Sequence, residues 1–201
     1  MNVSDHLLFD NQGNQAAFQE SPNQGSGISQ LYLVIHYTAG TTLESAVSWF
    51  LNPDAQASAH VVIGRDGAIV QMVAFDQRAW HAGRSKWGEL ENLNQYAIGI
   101  ELVNAGKLRK RADAKWIDWT GNVIPDDEVT MATHQHENAP AGWHEYTEVQ
   151  INALLATALA LNSAYKFVDV LGHDAISPAR KVDPGPLFPM GSFRSKVLGR
   201  V

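Results

Sequence analysis

Apolar runs of strand length recur along the chain, separated by turn signals and amphipathic stretches. LYLVI at 31–35 is unbroken and is followed at once by His36 and the turn-like Thr38-Ala39-Gly40. SAHVVI and AIVQMV flank Gly64-Arg65-Asp66-Gly67, which predicts a β-hairpin over 58–73 with Asp-Gly supplying the turn. AIGIELV at 97–103 and FVDVLGH at 167–173 are further buried runs. Thr41 with Glu44 makes a capping box ahead of AVSWF and predicts a helix over 42–51. Thr147 with Gln150 makes a second, with Tyr146 and Ile151 placed as a hydrophobic staple. Ile151, Leu154, Leu155, Ala158, Asn162 and Tyr165 fall on one helical face, so a long amphipathic helix is expected over 148–165 and a short one near 190–197. Alternating strands and helices imply a single α/β domain, a mixed central β-sheet flanked by helices.

Two stretches carry no such period. Residues 1–29 are rich in Asn, Gln, Ser and Gly and read as a polar N-terminal arm ahead of a domain over 30–201. Residues 105–145 read as a long irregular insertion loop, of the kind that often serves function. No run approaches ~18 apolar residues, so no membrane span is expected. The first residues lack a basic segment followed by an apolar one, so the expectation is a cytoplasmic location as synthesised.

Composition narrows the chemistry. A net charge of −6 gives no electrostatic case for nucleic acid or an anionic membrane, and no obligate protein partner is evident. The absence of cysteine excludes disulfides, thiolate metal sites and a cysteine nucleophile. Any metal site must draw on Asp, Glu and the eight histidines, donors that suit zinc. LVIHYTAG and DVLGHDAI place His36 and His173 at strand ends, where sites of open α/β sheets commonly lie. Either histidine alone reads more simply as a polar residue ending a strand. Asp183, in the proline-stiffened RKVDPGP ten residues after His173, changes that reading. Two imidazoles and a carboxylate form a catalytic zinc set with a fourth position left for water.

IHYTAG, SAHVVIGRDG, RAWHAG, IGIELVN, GHDAISPARKVDPGP and FP follow one another in this order. Together they resemble the zinc N-acetylmuramoyl-L-alanine amidases of the type 2 amidase family. The resemblance implies one Zn2+ held by His36, His173 and Asp183 in a groove at the sheet's edge. It also implies Glu101 of I-G-I-E as the catalytic glutamate and Lys181 as its cationic assistant. The implied substrate is peptidoglycan or a muropeptide, cut between N-acetylmuramic acid and L-alanine; a phage-derived member would reach the cell wall by another release route. On the residues alone, Glu101 reads more simply as a strand-end or ion-paired carboxylate, and Lys181 as a solvated charge beside Arg180.

Tyr37, His60, Trp80 and His81 are the candidate substrate-binding residues. His81, in Trp80-His81-Ala82-Gly83, reads as a groove residue, as hydrogen-bonding support for the metal shell, or as part of a packed structural turn. His60 packs or orients the site. His134, His136 and His144 in the insertion read as a solvated or substrate-facing segment rather than a second zinc site. Trp116 and Trp119 either stack on sugars or pack the loop down. Two other functions stay in view: a non-catalytic peptidoglycan-recognition module, and a zinc peptidase acting within the stem. The intact donor set argues against the first, and the lack of H-E-x-x-H against the second.

Overall fold

The apolar runs pair into one mixed sheet, seen in a computed structural model that describes residues 1–200. The chain opens with β1 (Asn2–Ser4), β2 (Leu7–Phe9), β3 (Ala17–Phe18) and β4 (Gln24–Gly25). The first long apolar run is β5 (Tyr32–Tyr37), followed by helix α1 (Leu43–Leu51). The hairpin is β6 (Val61–Ile63) and β7 (Ile69–Gln71). Short strands β8 (Arg78–Ala79), β9 (Lys86–Trp87) and β10 (Leu90–Glu91) lead into β11 (Ala97–Leu102). The insertion carries β12 (Lys107–Lys110), β13 (Trp116–Ile117), β14 (Val123–Ile124), β15 (Val129–Ala132) and β16 (Ala141–His144). Helix α2 (Glu148–Tyr165), β17 (Asp169–Gly172), the single-turn α3 (His173–Ile176) and α4 (Met190–Leu198) follow.

The central sheet has the order β17-β5-β11-β6-β7-β3 among the described residues. β17, β5, β11 and β6 run parallel, so their C-terminal ends meet along one side. Register pairs Ile35 with Ile100 and His36 with Glu101. Side chains alternate across a strand, and the two faces separate accordingly. Leu33, Ile35, Ile98 and Ile100 pack with Leu154, Ala158 and Leu161 of α2 in the main core. Val34 and Ala97 pack with Ala82, Leu93, Leu171 and Ile176 on the other face. His36 and Glu101 belong to that second face, at the end where the parallel strands stop.

Residues 1–29 are not a loose arm. Leu8 is fully buried in the main core, its N–H donates to Gln71 Oε1 at 2.8 Å, and β3 adds to the edge of the central sheet beside β7. The insertion is not irregular either: it forms a five-stranded antiparallel sheet, β14-β13-β12-β16-β15. Strands of two to four residues are too short to display a period of two in sequence. The caps also differ in detail. Thr42, not Thr41, caps α1, accepting from the Ser45 N–H at 3.1 Å. Thr147 caps α2 as expected, but the Gln150 amide does not reach back to it. It donates instead to the carbonyls of Ile63 and Val103, both at 3.0 Å, because those strand-end acceptors are buried and need a partner.

Candidate metal centre

Three elements deliver the donors. β5 supplies His36, the β17–α3 junction supplies His173, and the loop before α4 supplies Asp183, all buried. The Nδ1 atoms of His36 and His173 lie 2.9 Å apart, and Asp183 Oδ2 lies 3.1 and 2.9 Å from them. Among the described residues these three are the cluster able to hold a metal ion.

The far side of each ring decides its protonation. His173 Nε2 faces the Ala82 carbonyl at 3.2 Å, and His81 Nε2 faces the Ala97 carbonyl at 3.1 Å. A carbonyl only accepts, so each of these nitrogens carries a proton, and burial keeps the His81 ring neutral. His81 Nδ1 is then an acceptor and takes the His36 Nε2–H at 3.0 Å. This leaves the Nδ1 atoms of His36 and His173 turned toward a carboxylate oxygen, placed to offer lone pairs to a cation. Such a convergence is held together either by a proton shared with the carboxylate or by a cation seated among the three. Tetrahedral donors around a zinc-sized ion stand about 3.3 Å apart, close to the spacing seen, so the residues fit the ion. Burial, reinforced by His173, pushes His36 down to about 4, against the pull of Asp183. Burial pushes Asp183 up, but His173 and His36 outweigh it and hold the carboxylate well below its usual range.

Glu101 faces the same space from β11. Its Oε2 is buried with no hydrogen-bond partner among the described residues. Burial first, then the Asp183 charge, raises its carboxyl to about 8, partly offset by Lys181. Tyr37, Trp80, His81, Glu101 and Lys181 line a groove of about 400 Å³ with His173 and Asp183 at its floor. His60 does not join them. It is fully buried, its Nδ1 accepts from the Gly99 N–H at 3.0 Å and its Nε2–H donates to the Gln77 carbonyl at 3.0 Å. It packs edge-on to His81, with ring centroids 5.8 Å apart, and so backs the site rather than meeting substrate.

The insertion braces the metal loop, which single residues in sequence did not signal. His134 is buried rather than solvated, and its Nε2 lies 2.9 Å from Asp174 Oδ2, which also accepts from Gln135. The Asp174 N–H donates to the Asp183 carbonyl at 2.8 Å. His144 is likewise buried, between the Ala105 N–H and Glu128; His136 is exposed. Trp116 packs down, its ring lying where a Cβ on Gly142 would be, at 2.6 Å. Arg180 was also not anticipated. Its Nη2 lies 2.9 Å from the Ala82 and Arg84 carbonyls and ties the second face to the loop.

Fold and site define an α/β protein with a preformed cluster of three donors, able to hold a metal ion, at the ends of parallel strands. The chain belongs to the N-acetylmuramoyl-L-alanine amidase family, matched over residues 28–186. The N-acetylmuramoyl-L-alanine amidase A of Achromobacter lyticus is 42% identical over 182 residues, 89% of this chain and 90% of that protein. The 1,6-anhydro-N-acetylmuramyl-L-alanine amidase AmpD of Citrobacter freundii is 35% identical over 144 residues, 71% of this chain but only 58% of the length of that relative. The solved complex of the amidase AmiD from E. coli with anhydro-N-acetylmuramic acid-L-Ala-D-gamma-Glu-L-Lys gives a TM-score of 0.61 at 27% identity, covering 94% of this chain and 65% of that one.

Proposed function

We propose that the chain hydrolyses the amide bond between N-acetylmuramic acid and L-alanine in peptidoglycan or muropeptides, with one Zn2+ held by His36, His173 and Asp183. The observation that carries this reading is the convergence of two Nδ1 lone pairs and a carboxylate beside the unpartnered Glu101 carboxyl. The named activities of the relatives, and the muramoyl peptide bound by AmiD, supply the substrate class. When bound, the ion supplies a Lewis acid that polarises a carbonyl and acidifies water.

Glu101 takes a proton from the attacking water and returns one to the departing amine, so that OH joins the carbonyl carbon as the C–N bond breaks. Its raised pKa suits this exchange near neutrality, and a divalent ion held by the three donors would favour the ionised form that accepts the proton. Lys181 faces the groove and stabilises negative charge as it grows on the carbonyl oxygen. His81 and the Ala82 carbonyl hold the two ligand rings in the tautomer that leaves Nδ1 free. Tyr37 and Trp80 line the approach to the reacting bond.

The test is mass spectrometry of muropeptides incubated with the purified protein. The expected product is a stem peptide with a free L-alanine amine. Cleavage inside the peptide, or no peptide release from a zinc-loaded protein, overturns the proposal.

A further inference from the structure

The groove over the metal centre does not end there. Thr38, Ala39 and Trp49 line it and also line a second hollow of about 500 Å³ that runs between α1 and the insertion. Two indoles flank that hollow and remain largely in solvent, Trp49 at 56% exposure and Trp119 at 68%. Trp119 is not free to swing: its Nε1–H donates to the Ala39 carbonyl at 2.7 Å, on the segment that leaves His36. An indole held by its one polar atom, with its faces open, is a preorganised apolar platform. The Thr41 hydroxyl and the Asn122 amide oxygen stand around it, while the Thr120 hydroxyl and the Asn122 amide N–H groups hold the turn at Asp118.

We infer that this hollow binds a pyranose ring of the glycan strand adjoining the muramoyl residue that is cut. The inference rests on the amidase reading of the neighbouring centre. A sugar ring presents an apolar face and an equatorial fringe of hydroxyls, matching indoles set among hydroxyl and amide groups. The stem peptide is the other neighbour of the scissile bond, and the charge pattern sends it elsewhere. Among the described residues no Lys or Arg lines the hollow, and its one carboxylate, Asp118, is fully buried and bonded to Thr120 and Asn122, whereas Arg180 and Lys181 line the groove over the metal. A peptide carrying glutamate carboxylates is drawn to the cationic side, a neutral ring to the aromatic one. The groove therefore has a direction, and the protein is built for substrates with more than one sugar.

The test uses the full chain and a peptide-free tetrasaccharide of the glycan strand, titrated by calorimetry. Saturable binding is expected, weakened about ten-fold by Trp119→Ala and less by Trp119→Phe, which keeps a ring for stacking. In turnover, the ratio of kcat/KM for a disaccharide-peptide to that for a single-sugar muramoyl peptide falls by the same factor in Trp119→Ala. Glycan binding that needs Trp119 supports the hollow even if no substrate releases peptide, an outcome that would defeat only the amidase reading. Unchanged glycan affinity in Trp119→Ala overturns the inference, as does a loss that appears equally with free stem peptide.

Discussion

His36 Nε2 and His81 Nδ1 share a 3.0 Å hydrogen bond, and the His81 ring lies against Gly99, where a Cβ would come within 2.4 Å of it. The glycine of I-G-I-E thus makes room for the ring that orients a metal ligand. His81→Ala is expected to weaken zinc affinity ten- to a hundred-fold. Gly99→Ala should do the same by displacing the ring. Chelator competition on both variants is the check, and wild-type affinity in both would remove the support role.

Glu101→Gln keeps shape and removes the proton carrier. The variant is expected to hold a full complement of zinc and to lose roughly 10²–10⁴ in kcat. Metal analysis alongside turnover separates this from loss of the ion. A metal-replete variant with ordinary turnover excludes Glu101 as the proton carrier.

His60 makes stability depend on pH. Burial pushes its pKa down to about 4, against the pull of the Gln77 carbonyl. The unfolded chain protonates this ring below pH ~6.5 while the folded protein does not, so the unfolded state binds the extra proton. Stability from this group is complete above pH ~6.5 and is lost as pH falls toward 4, by about 3 kcal/mol. Urea titrations across that window should show a shallower pH slope in His60→Gln, by up to one proton. A slope equal to wild type would contradict the assignment.

Leu8 ties the N-terminal hairpin into the core beside α2. Leu8→Ala is expected to cost about 3 kcal/mol, as for other buried leucines truncated to alanine. Removing residues 1–29 should destabilise further, because it also strips β3 from the sheet edge. Thermal unfolding of both variants is the measurement, and a truncated chain as stable as the whole would show the segment to be dispensable.

His134 secures Asp174, whose N–H holds the Asp183 carbonyl. His134→Ala leaves a largely buried carboxylate with Gln135 as its remaining side-chain partner, at an expected cost of about 1–3 kcal/mol. Zinc affinity should fall with it, since Asp183 loses its brace. Loss of stability with unchanged metal affinity would confine His134 to a packing role.

The sequence by itself determined the long helix over 148–165 and the hairpin around Gly64–Gly67, and it singled out His36, His173 and Asp183, which the structure brings together. Each is written locally, as a helical period, a turn between apolar runs, a histidine placed where a strand stops, or an aspartate in a proline-stiffened loop. Only the tertiary structure separated His81 from His60. His60 leads into β6 and His81 follows β8, and packing put His81 against a donor ring and sealed His60 behind it. The same holds for the N-terminal segment and the insertion, where single residues such as Leu8 and His134 owe their burial to distant elements. Trp49 and Trp119 are 70 residues apart, and nothing in either segment announces a shared hollow. A local pattern records what a residue does to its own strand or helix; which surfaces meet is decided by the register and packing of the whole chain.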